Sequence, residues 1–418
     1  MSFRGPITRG TILTSTVLGL RLVVQAGTLL IVARLLGPAD FGAFAGITAL
    51  AVVIGTLSTF GMQLVLMEEV SRDPAQRDQV LANALPVTLT LGTLLLVLFT
   101  TVSIAALGFP GLPFHAIIAI GAADIVVQPL LTFPAWRLTA SGQPAASQLL
   151  LLFPLSLRLA LAAIVFWAAP TDPLGVYGWA YLGASVIALC TVSTTRLSPW
   201  LAPRRWQWPG RTRWRKAAGY ALVNMTAMAP SELDKTLAAR LLPTADAGIY
   251  AAAQRTIAAI TLPVSAMMLS ALPRLYRDGR HDFRRTTHLV ALVMSASALY
   301  GVALAALLWL AAPLFERLFG ASYHGIGETV RWLCLAIPGM TLRITLANSL
   351  MATGTPWLRT GMEVVGLLAL ILASLALCAT GGISGMAIAF TLSQWTMVAV
   401  GLLGLAIRAR PGHSPGAP

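Results

Sequence analysis

The most informative feature of this 418-residue sequence is how few charged residues it contains. Asp, Glu, Lys and Arg together make up 11% of the chain, whereas hydrophobic residues make up 57%. A soluble domain carries roughly 25% charged residues, and a soluble core this apolar would have too little polar surface to cover it. The composition, with a mean hydropathy of +0.77, therefore excludes an ordinary soluble domain and predicts a polytopic membrane protein.

Residues and motifs that carry covalent chemistry are also scarce. Cys190, Cys334 and Cys378 lie far apart within apolar runs, so neither a disulfide framework nor a metal site is indicated. The chain has no GxxxxGKS/T nucleotide loop, no GxSxG elbow and no HExxH zinc motif. With short loops on the side opposite the N-terminus, these absences disfavour an enzyme, and the sequence predicts no cofactor and no metal.

Apolar runs dominate the sequence instead, and we count twelve that are long enough to cross a bilayer. A span needs about 20 mostly apolar residues. Each is expected to be a helix, because lipid offers backbone groups no hydrogen-bonding partner. The runs are roughly 11–33, 42–66, 81–107, 115–138, 147–169, 177–197, 217–241, 247–273, 287–312, 328–350, 359–379 and 384–407.

The two halves of the sequence share a repeated turn, which supports a duplicated architecture. The stretch ARLLGPADFGAFAG at 33–46 aligns without a gap with ARLLPTADAGIYAA at 239–252. An even number of spans in each half gives both halves the same orientation, as parallel repeats. The sequence thus predicts an all-α polytopic membrane protein with about twelve transmembrane helices, arranged in two parallel six-helix lobes around a central cavity.

We expect four segments along the chain. Residues 1–197 form an N-terminal six-helix lobe and residues 217–410 a C-terminal one, joined by a basic, Trp-rich linker at 198–216 and followed by a tail at 411–418. The linker region interleaves tryptophans with basic residues, a composition that favours the membrane interface and anionic headgroups. It either lies on the inner leaflet, bound to anionic membrane lipids, or helps to select an anionic lipid substrate.

Basic residues are divided unequally between the two sides of the predicted topology. With the N-terminus inside, 20 of the 29 Lys and Arg residues face the cytoplasm, against Arg34, Arg240 and Arg317 on the other side. Because cytoplasmic loops carry the Lys and Arg excess, we expect a multi-pass protein of the bacterial inner membrane with both termini cytoplasmic. The net charge of +14 then reflects topology, and no nucleic-acid partner is expected.

Charged residues inside the spans are the candidate functional residues, because an intramembrane charge is costly unless it faces a cavity or a partner. Six basic residues outnumber four acidic ones, which suits an anionic substrate, and Arg binds phosphate oxygens with its planar fork. The candidates for substrate binding are Arg21, Arg158, Lys235, Arg255 and Arg343, and those for coupling to an ion are Asp124, Glu232 and Asp234.

Internal ion pairing is the alternative interpretation of these charges. Glu232 and Lys235 are three residues apart and share a helical face, so they can satisfy each other. Arg331 and Glu363 lie near span ends, where a long side chain reaches the interface. Pro230 directly precedes the segment SELDK, which carries Glu232, Asp234 and Lys235. As a proline it removes a helix hydrogen bond and permits a bend there.

Four stretches of the chain resemble polysaccharide flippases of the multidrug/oligosaccharidyl-lipid/polysaccharide (MOP) superfamily, and together they cover nearly the whole chain. They are RLLGPADFGAFA (34–45), SELDKTLAARLLPTADAGIYAAAQR (231–255), LFERLFGASYHG (314–325) and LMATGTPWLR (350–359). The resemblance implies two six-helix lobes that open alternately to each side of the membrane. Wzx-type members flip polyprenyl-diphosphate-linked oligosaccharides outward, and their cationic cavities hold the diphosphate.

The resemblance implies a flippase for surface polysaccharide such as O-antigen or exopolysaccharide, with a polysaccharide polymerase complex as a further partner. In this chain Arg21, Arg158, Lys235 and Arg255 would take the cationic role. Coupling to H⁺ or Na⁺ stays open. Two other functions also stay open: a cation-coupled multidrug exporter of the same superfamily, and a membrane-embedded polysaccharide polymerase or ligase.

Overall fold

The computed structural model describes residues 6–107, 112–261, 263–264, 283–352 and 355–408. Within these ranges the regular secondary structure is helical and no strand is present, which confirms the all-α class. The predicted tail at 411–418 and the end of the predicted eighth span lie outside the described residues. Contacts between residues group the chain into two compact units, Met1–Ala251 and Ala252–Pro418.

The described residues of the first unit form eight α-helices and the start of a ninth. A π-helical segment, Ala122–Val127, joins α4 to α5 without a break. The helices are α1 Pro6–Ser58, α2 Met62–Arg72, α3 Arg77–Val102, α4 Phe114–Gly121, α5 Gln128–Ala140, α6 Pro144–Ala168, α7 Pro173–Ser193, α8 Arg211–Leu241 and α9 Thr244–Ile260.

The second unit begins within α9, and its described residues from 283 onward form four further helices. Its α11 and α12 meet at a bend of 46°. Buried side chains of α12 and α13 form a core, which includes Leu346, Leu350, Met362 and Met397. The remaining helices are α10 Phe283–Phe319, α11 Ile326–Cys334, α12 Ile337–Ala352 and α13 Pro356–Arg408.

Two very long helices each account for two predicted spans. In α1 the backbone leaves helical geometry at Gly37, where φ is 69°, and in α13 it does so at Gly382, where φ is 52°. Glycine adopts positive φ without the steric cost that a side chain brings. Each position therefore separates two helical runs, as the sequence predicts for 11–33 and 42–66 and for 359–379 and 384–407.

Seven of the described helices are long and apolar enough to cross a membrane, or eight if the bent pair α11–α12 counts as one span. Each of the two kinked helices, α1 and α13, contains two predicted spans. Counted in this way, the eight segments account for ten of the twelve predicted spans. The other two predicted spans correspond to α8 and α9. Charged side chains lower the hydropathy of α8, and α9 is described over 17 residues.

Capping residues fix where several helices of the first unit begin. Asp73 accepts a hydrogen bond from the backbone N–H of Ala75 at 3.0 Å, in the short turn that precedes α3. Asp172 accepts one from the N–H of Gly175 at 2.9 Å at the start of α7. Both carboxylates satisfy backbone donors that have no partner within the helix.

The helix α8 packs along α1 within the first unit. The Thr236 hydroxyl of α8 donates a hydrogen bond to the Gly46 carbonyl oxygen at 2.9 Å. At the other end of α8, a Cβ placed on Gly61 would overlap the backbone of Ala217 and Ala221. This packing explains why contacts assign α8 to the first unit, whereas the sequence predicts a lobe boundary at 216/217; the division into two six-helix lobes stays a prediction.

Candidate functional site

Arg158, predicted from sequence as a substrate ligand, lies in a buried polar network of the first unit. Its Nη2 donates to Asp124 Oδ1 at 3.2 Å and to Ser185 Oγ at 2.9 Å. Its Nη1 donates to the Tyr181 hydroxyl at 2.6 Å. That hydroxyl in turn lies 3.0 and 2.9 Å from the two Asp124 carboxylate oxygens.

In this network two of the predicted functional residues, Arg158 and Asp124, pair with each other. The exposed fractions of the Arg158 and Asp124 side chains are 9% and 3%, so water screens the pair little. Asp124 sits in the π-helical segment Ala122–Val127, and such segments are frequent at functional sites. The arrangement holds a neutral pair between α4–α5, α6 and α7, and the roles of Arg158 in binding substrate and of Asp124 in coupling an ion stay predictions.

A second intramembrane network surrounds Lys235 of α8. The Lys235 ammonium lies 3.2 Å from Glu232 Oε2 and 3.2 Å from Asp234 Oδ1, and it donates to the Ser231 carbonyl oxygen at 2.7 Å. The Tyr250 hydroxyl of α9 donates to Asp234 Oδ2 at 3.0 Å. The contact between Glu232 and Lys235 that their spacing predicts is therefore formed.

The three charged residues of this network differ in exposure. Asp234 and Lys235 are buried, with 0% and 3% of the side chain exposed, whereas 29% of Glu232 is exposed. Glu232 is therefore the carboxylate of this network that is partly exposed. This difference makes Glu232 the more accessible of the two ion-coupling candidates on α8.

In the second unit, Arg343 and Glu363 form a close pair. Arg343 Nη1 lies 2.8 Å from Glu363 Oε2, with exposed side-chain fractions of 11% and 3%. The pair links α12 to α13. The sequence placed Glu363 near the interface, and the structure adds that it has a buried basic partner. Arg255, the other substrate candidate of this unit, is half-buried in α9.

Arg21 differs from these pairs because its described partner is an uncharged amide. Its Nη1 donates to Gln148 Oε1 of α6 at 3.1 Å, while its buried Nε has no hydrogen-bond partner. Among the described residues no carboxylate pairs with it. Arg21 is thus a part-buried guanidinium on an apolar helix with unused hydrogen-bond donors.

A third group of charges, not expected from the sequence, joins the start of α8 to the end of α2. Arg213 Nη2 lies 2.8 Å from Glu69 Oε2, and Lys216 Nζ lies 2.9 Å from Glu68 Oε2. We call these four residues the α2–α8 ionic cluster. The residues of each pair are more than 140 positions apart in sequence, so no local spacing could have indicated the pairing.

Glu68 is the most heavily bonded member of the α2–α8 ionic cluster. The Tyr220 hydroxyl donates to it at 2.6 Å, and Arg72 pairs with its other oxygen at 2.9 Å. Burial raises the pKa of Glu68, but the hydrogen bonds from Tyr220 and Lys216 and the nearby positive charges outweigh burial and hold its pKa below the ordinary value.

The Trp-rich linker is attached to the same end of the first unit. The Gln207 N–H donates to the Ala82 carbonyl oxygen at 3.0 Å, and Asn83 Nδ2 donates to the Gln207 carbonyl oxygen at 2.9 Å. Trp208 and Trp214 stack with ring centroids 6.5 Å apart. The linker thereby holds Arg213 and Lys216 beside α2, while its other arginines are exposed: Arg204, Arg205, Arg211 and Arg215.

Comparisons with solved structures identify the fold. An inward-facing multidrug resistance MATE family transporter of the MOP superfamily matches with a TM-score of 0.72 and 14% identity, covering 95% of this chain and 98% of that one. Lipid II flippase MurJ in an inward closed conformation matches with a TM-score of 0.72 and 11% identity, covering 94% and 87%.

A third similar structure is a MOP superfamily transporter from Pyrococcus furiosus whose binding pocket is described as having reverse polarity. It matches with a TM-score of 0.69 and 15% identity, covering 97% of this chain and 96% of that one. Identities this low show the fold alone: these helices have the arrangement of MOP-superfamily transporters.

Sequence comparisons supply the family. A comparison with curated protein sequences finds no match. The family model described as polysaccharide biosynthesis protein matches residues 7–278, more than half of the chain. The MOP-superfamily resemblance is confirmed, the family and fold are those of transporters, and this multi-pass membrane protein belongs to the polysaccharide biosynthesis protein family.

Proposed function

We propose that this protein flips polyprenyl-diphosphate-linked oligosaccharide across the bacterial inner membrane for surface polysaccharide synthesis, by alternating access and without catalysing a reaction. Membership of the polysaccharide biosynthesis family supports a glycan substrate. The transporter fold supports movement of that substrate rather than its synthesis. One protein of this fold, MurJ, is named a lipid II flippase, which supports a lipid-linked saccharide.

The observation that carries the proposal is the state of Arg21. The four acidic residues predicted inside the spans, Asp124, Glu232, Asp234 and Glu363, all pair with Arg158, Lys235 or Arg343. Among the described residues Arg21 has an amide partner and no carboxylate, and its Nε donor is unused. A guanidinium in lipid surroundings is costly without an anion, and a diphosphate offers the oxygens that its fork binds.

The accessible carboxylate of Glu232 supports a place for ion coupling. If transport is coupled to H⁺ or Na⁺, Glu232 and Asp234 are the groups that would bind the ion, since Arg158 already neutralises Asp124. The cation-coupled multidrug exporter is less well supported, because basic candidates outnumber acidic ones inside the spans, which suits an anionic substrate rather than a cationic drug.

The orientation of the chain is part of the proposal. The excess of basic residues on one side supports cytoplasmic termini. The start of α8 and the end of α2 then lie at the cytoplasmic headgroup level, beside the exposed arginines of the linker, which would contact anionic lipids.

Deletion of the gene, followed by extraction of membrane lipids, tests the proposal. We expect diphosphate-linked oligosaccharide to accumulate and surface polysaccharide to be lost. Complementation with wild type should restore both, Arg21→Lys should restore part, and Arg21→Ala should restore less than about a tenth, because losing a charge-assisted contact weakens binding tenfold or more. Arg215→Ala, which removes an exposed arginine, is the matched control. Unchanged lipids with raised sensitivity to cationic drugs would instead identify an exporter.

A further inference from the structure

The α2–α8 ionic cluster places two cations opposite two consecutive carboxylates. Arg213 and Lys216 are three residues apart on α8, and Glu68 and Glu69 are adjacent on α2. Lys216 approaches both glutamates, at 2.9 and 3.9 Å, and Arg213 contacts Glu69 at 2.8 Å. The pair of glutamates thus presents two neighbouring anionic groups to one guanidinium and one ammonium.

This set of charges has the chemistry of a diphosphate site occupied by side chains. A diphosphate also presents two adjacent anionic groups with several acceptor oxygens, and arginine binds such oxygens with two parallel hydrogen bonds. Lysine adds a compact charge suited to the same group. A diphosphate can therefore replace Glu68 and Glu69 as partner of Arg213 and Lys216 without leaving either cation unpaired.

The cluster is also reachable, unlike the pairs deeper in the first unit. Its side chains are 20–32% exposed, against 9% and 3% for Arg158 and Asp124. It follows an exposed basic linker, and no acidic residue occurs between Asp172 and Glu232 in the sequence. The exposed arginines at this end of the unit also outnumber its four acidic residues, Glu68, Glu69, Asp73 and Asp78, so approaching anions meet a locally positive surface.

The same contacts join two helices, so exchanging the anion changes what holds α8 to α2. Arg213 also donates to the amide oxygen of Asn83 on α3, and Tyr220 donates to Glu68. Close packing of α8 against Gly61 completes this end of the interface. Displacing both glutamates would remove these ionic contacts and the Tyr220 hydrogen bond, and would leave the packing at Gly61 and the Arg213 hydrogen bond to α3.

We propose that Arg213 and Lys216 are the entry site for the diphosphate group of a lipid-linked substrate, with Glu68 and Glu69 occupying that site in the absence of substrate. Substrate entry then displaces the glutamates and loosens α8 from α2 in one exchange. The inference rests on the proposed function, and it adds to it the residues that first bind the substrate.

Binding of undecaprenyl diphosphate to the purified full-length protein in lipid nanodiscs tests the exchange. We expect Glu68→Gln with Glu69→Gln to bind about tenfold more tightly, because the competing anions are gone, and Arg213→Gln with Lys216→Gln to bind about tenfold less tightly. Inorganic diphosphate should compete for the site, whereas phosphatidylglycerol at the same concentration should compete weakly. Strong competition by phosphatidylglycerol and weak competition by inorganic diphosphate would show a general site for anionic lipid headgroups and overturn the diphosphate assignment.

Two controls keep the result interpretable. Arg240→Gln with Arg317→Gln removes the same amount of charge at two exposed arginines outside the cluster, so binding should match wild type. Arg213→Lys with Lys216→Arg keeps both charges and should bind within a few-fold of wild type, which reports correct folding. Equal loss in the charge-matched control, or no change in either cluster variant, would overturn the entry site.

Spin labels test the movement of the helices. With Cys190→Ser, Ser71→Cys on α2 and Thr212→Cys on α8 provide two exposed labelling positions. Undecaprenyl diphosphate should lengthen the distance between the labels, and a distance unchanged on binding would overturn the coupled release. If the wild type binds no lipid diphosphate at all, the proposed function itself fails, an outcome distinct from binding that is independent of Arg213 and Lys216.

Discussion

Gly42 and Gly248 occupy matching positions in the two copies of the repeated turn, and they lie against each other where α1 meets α9. A Cβ on Gly42 would come within 2.6 Å of the Thr244 carbonyl oxygen and of the Gly248 nitrogen. A Cβ on Gly248 would overlap the carbonyl group of Pro38, the residue that matches Thr244 in the repeat. The two copies therefore contact each other through equivalent atoms, as in an isologous interface.

This contact predicts that Gly248→Ala destabilises the first unit. The nearest atoms are backbone, so the helices must separate to admit a methyl group, and overpacking of this kind costs about 1–3 kcal/mol. We expect a lower melting temperature in detergent. Gly219→Ala in α8 is the control, because a Cβ there meets nothing within 4 Å and alanine favours a helix. A melting temperature as high for Gly248→Ala as for the control would contradict the close contact.

The Arg158–Asp124 pair predicts a large loss from either single change and a recovery in the double one. Asp124→Leu leaves Arg158 buried without its counter-ion, which costs about 3–5 kcal/mol, so we expect little protein in the membrane. Asp124→Leu with Arg158→Leu removes both charges and should restore protein level and polysaccharide. Restored protein without polysaccharide would show that the pair acts in transport, through substrate binding by Arg158 or ion coupling by Asp124, the two roles that the sequence alone predicted.

The partial exposure of Glu232 predicts that its substitution changes the ion dependence of transport without changing the folding of the protein. Its side chain is 29% exposed, whereas Asp234 is fully buried and bonded to both Lys235 and Tyr250. Glu232→Gln should therefore insert normally and lose any stimulation of transport by H⁺ or Na⁺ gradients in proteoliposomes. Asp234→Asn, the comparison variant, should lower protein stability. Full retention of gradient dependence in Glu232→Gln would remove that residue from coupling.

The lowered pKa of Glu68 predicts that the α2–α8 contact weakens in acid. A carboxyl whose folded pKa is depressed stabilises the fold above its ordinary pKa, about 4.3, and loses this contribution as the pH falls through the lowered value. The groups facing Glu68 are Arg72 on α2 and Lys216 and Tyr220 on α8. Melting temperatures between pH 3 and 6 should fall less for Glu68→Gln than for wild type; parallel curves would contradict the assignment.

Sequence patterns predicted the features that depend on neighbours along the chain. The apolar runs became helices, the repeated turn marked equivalent positions, and the three-residue spacing of Glu232 and Lys235 gave a contact of 3.2 Å. Each of these follows from helical periodicity, which a single sequence displays.

The pairings between helices could not be predicted in this way. Arg158 finds Asp124 on another helix, 34 positions away, and Arg213 finds Glu69 144 positions away. Both depend on how helices pack, and no local spacing encodes that. In the sequence Arg158 and Arg21 have the same surroundings, since neither has an acidic residue within a helical turn. Only the packed structure shows that Arg158 pairs with Asp124, whereas the described partner of Arg21 is an amide.

The pairing of Arg158 with Asp124 also limits the work that a membrane potential does on these two residues. A membrane potential of 100 mV does about 2.3 kcal/mol of work on each elementary charge that crosses it. An ion pair with its charges 3.2 Å apart has a dipole but no net charge, so helices α4 to α7 can tilt together in the field with little electrical work done on this pair. Among the described residues Arg21 has no acidic partner, so the potential acts on its full charge, and any movement of this residue along the field requires electrical work.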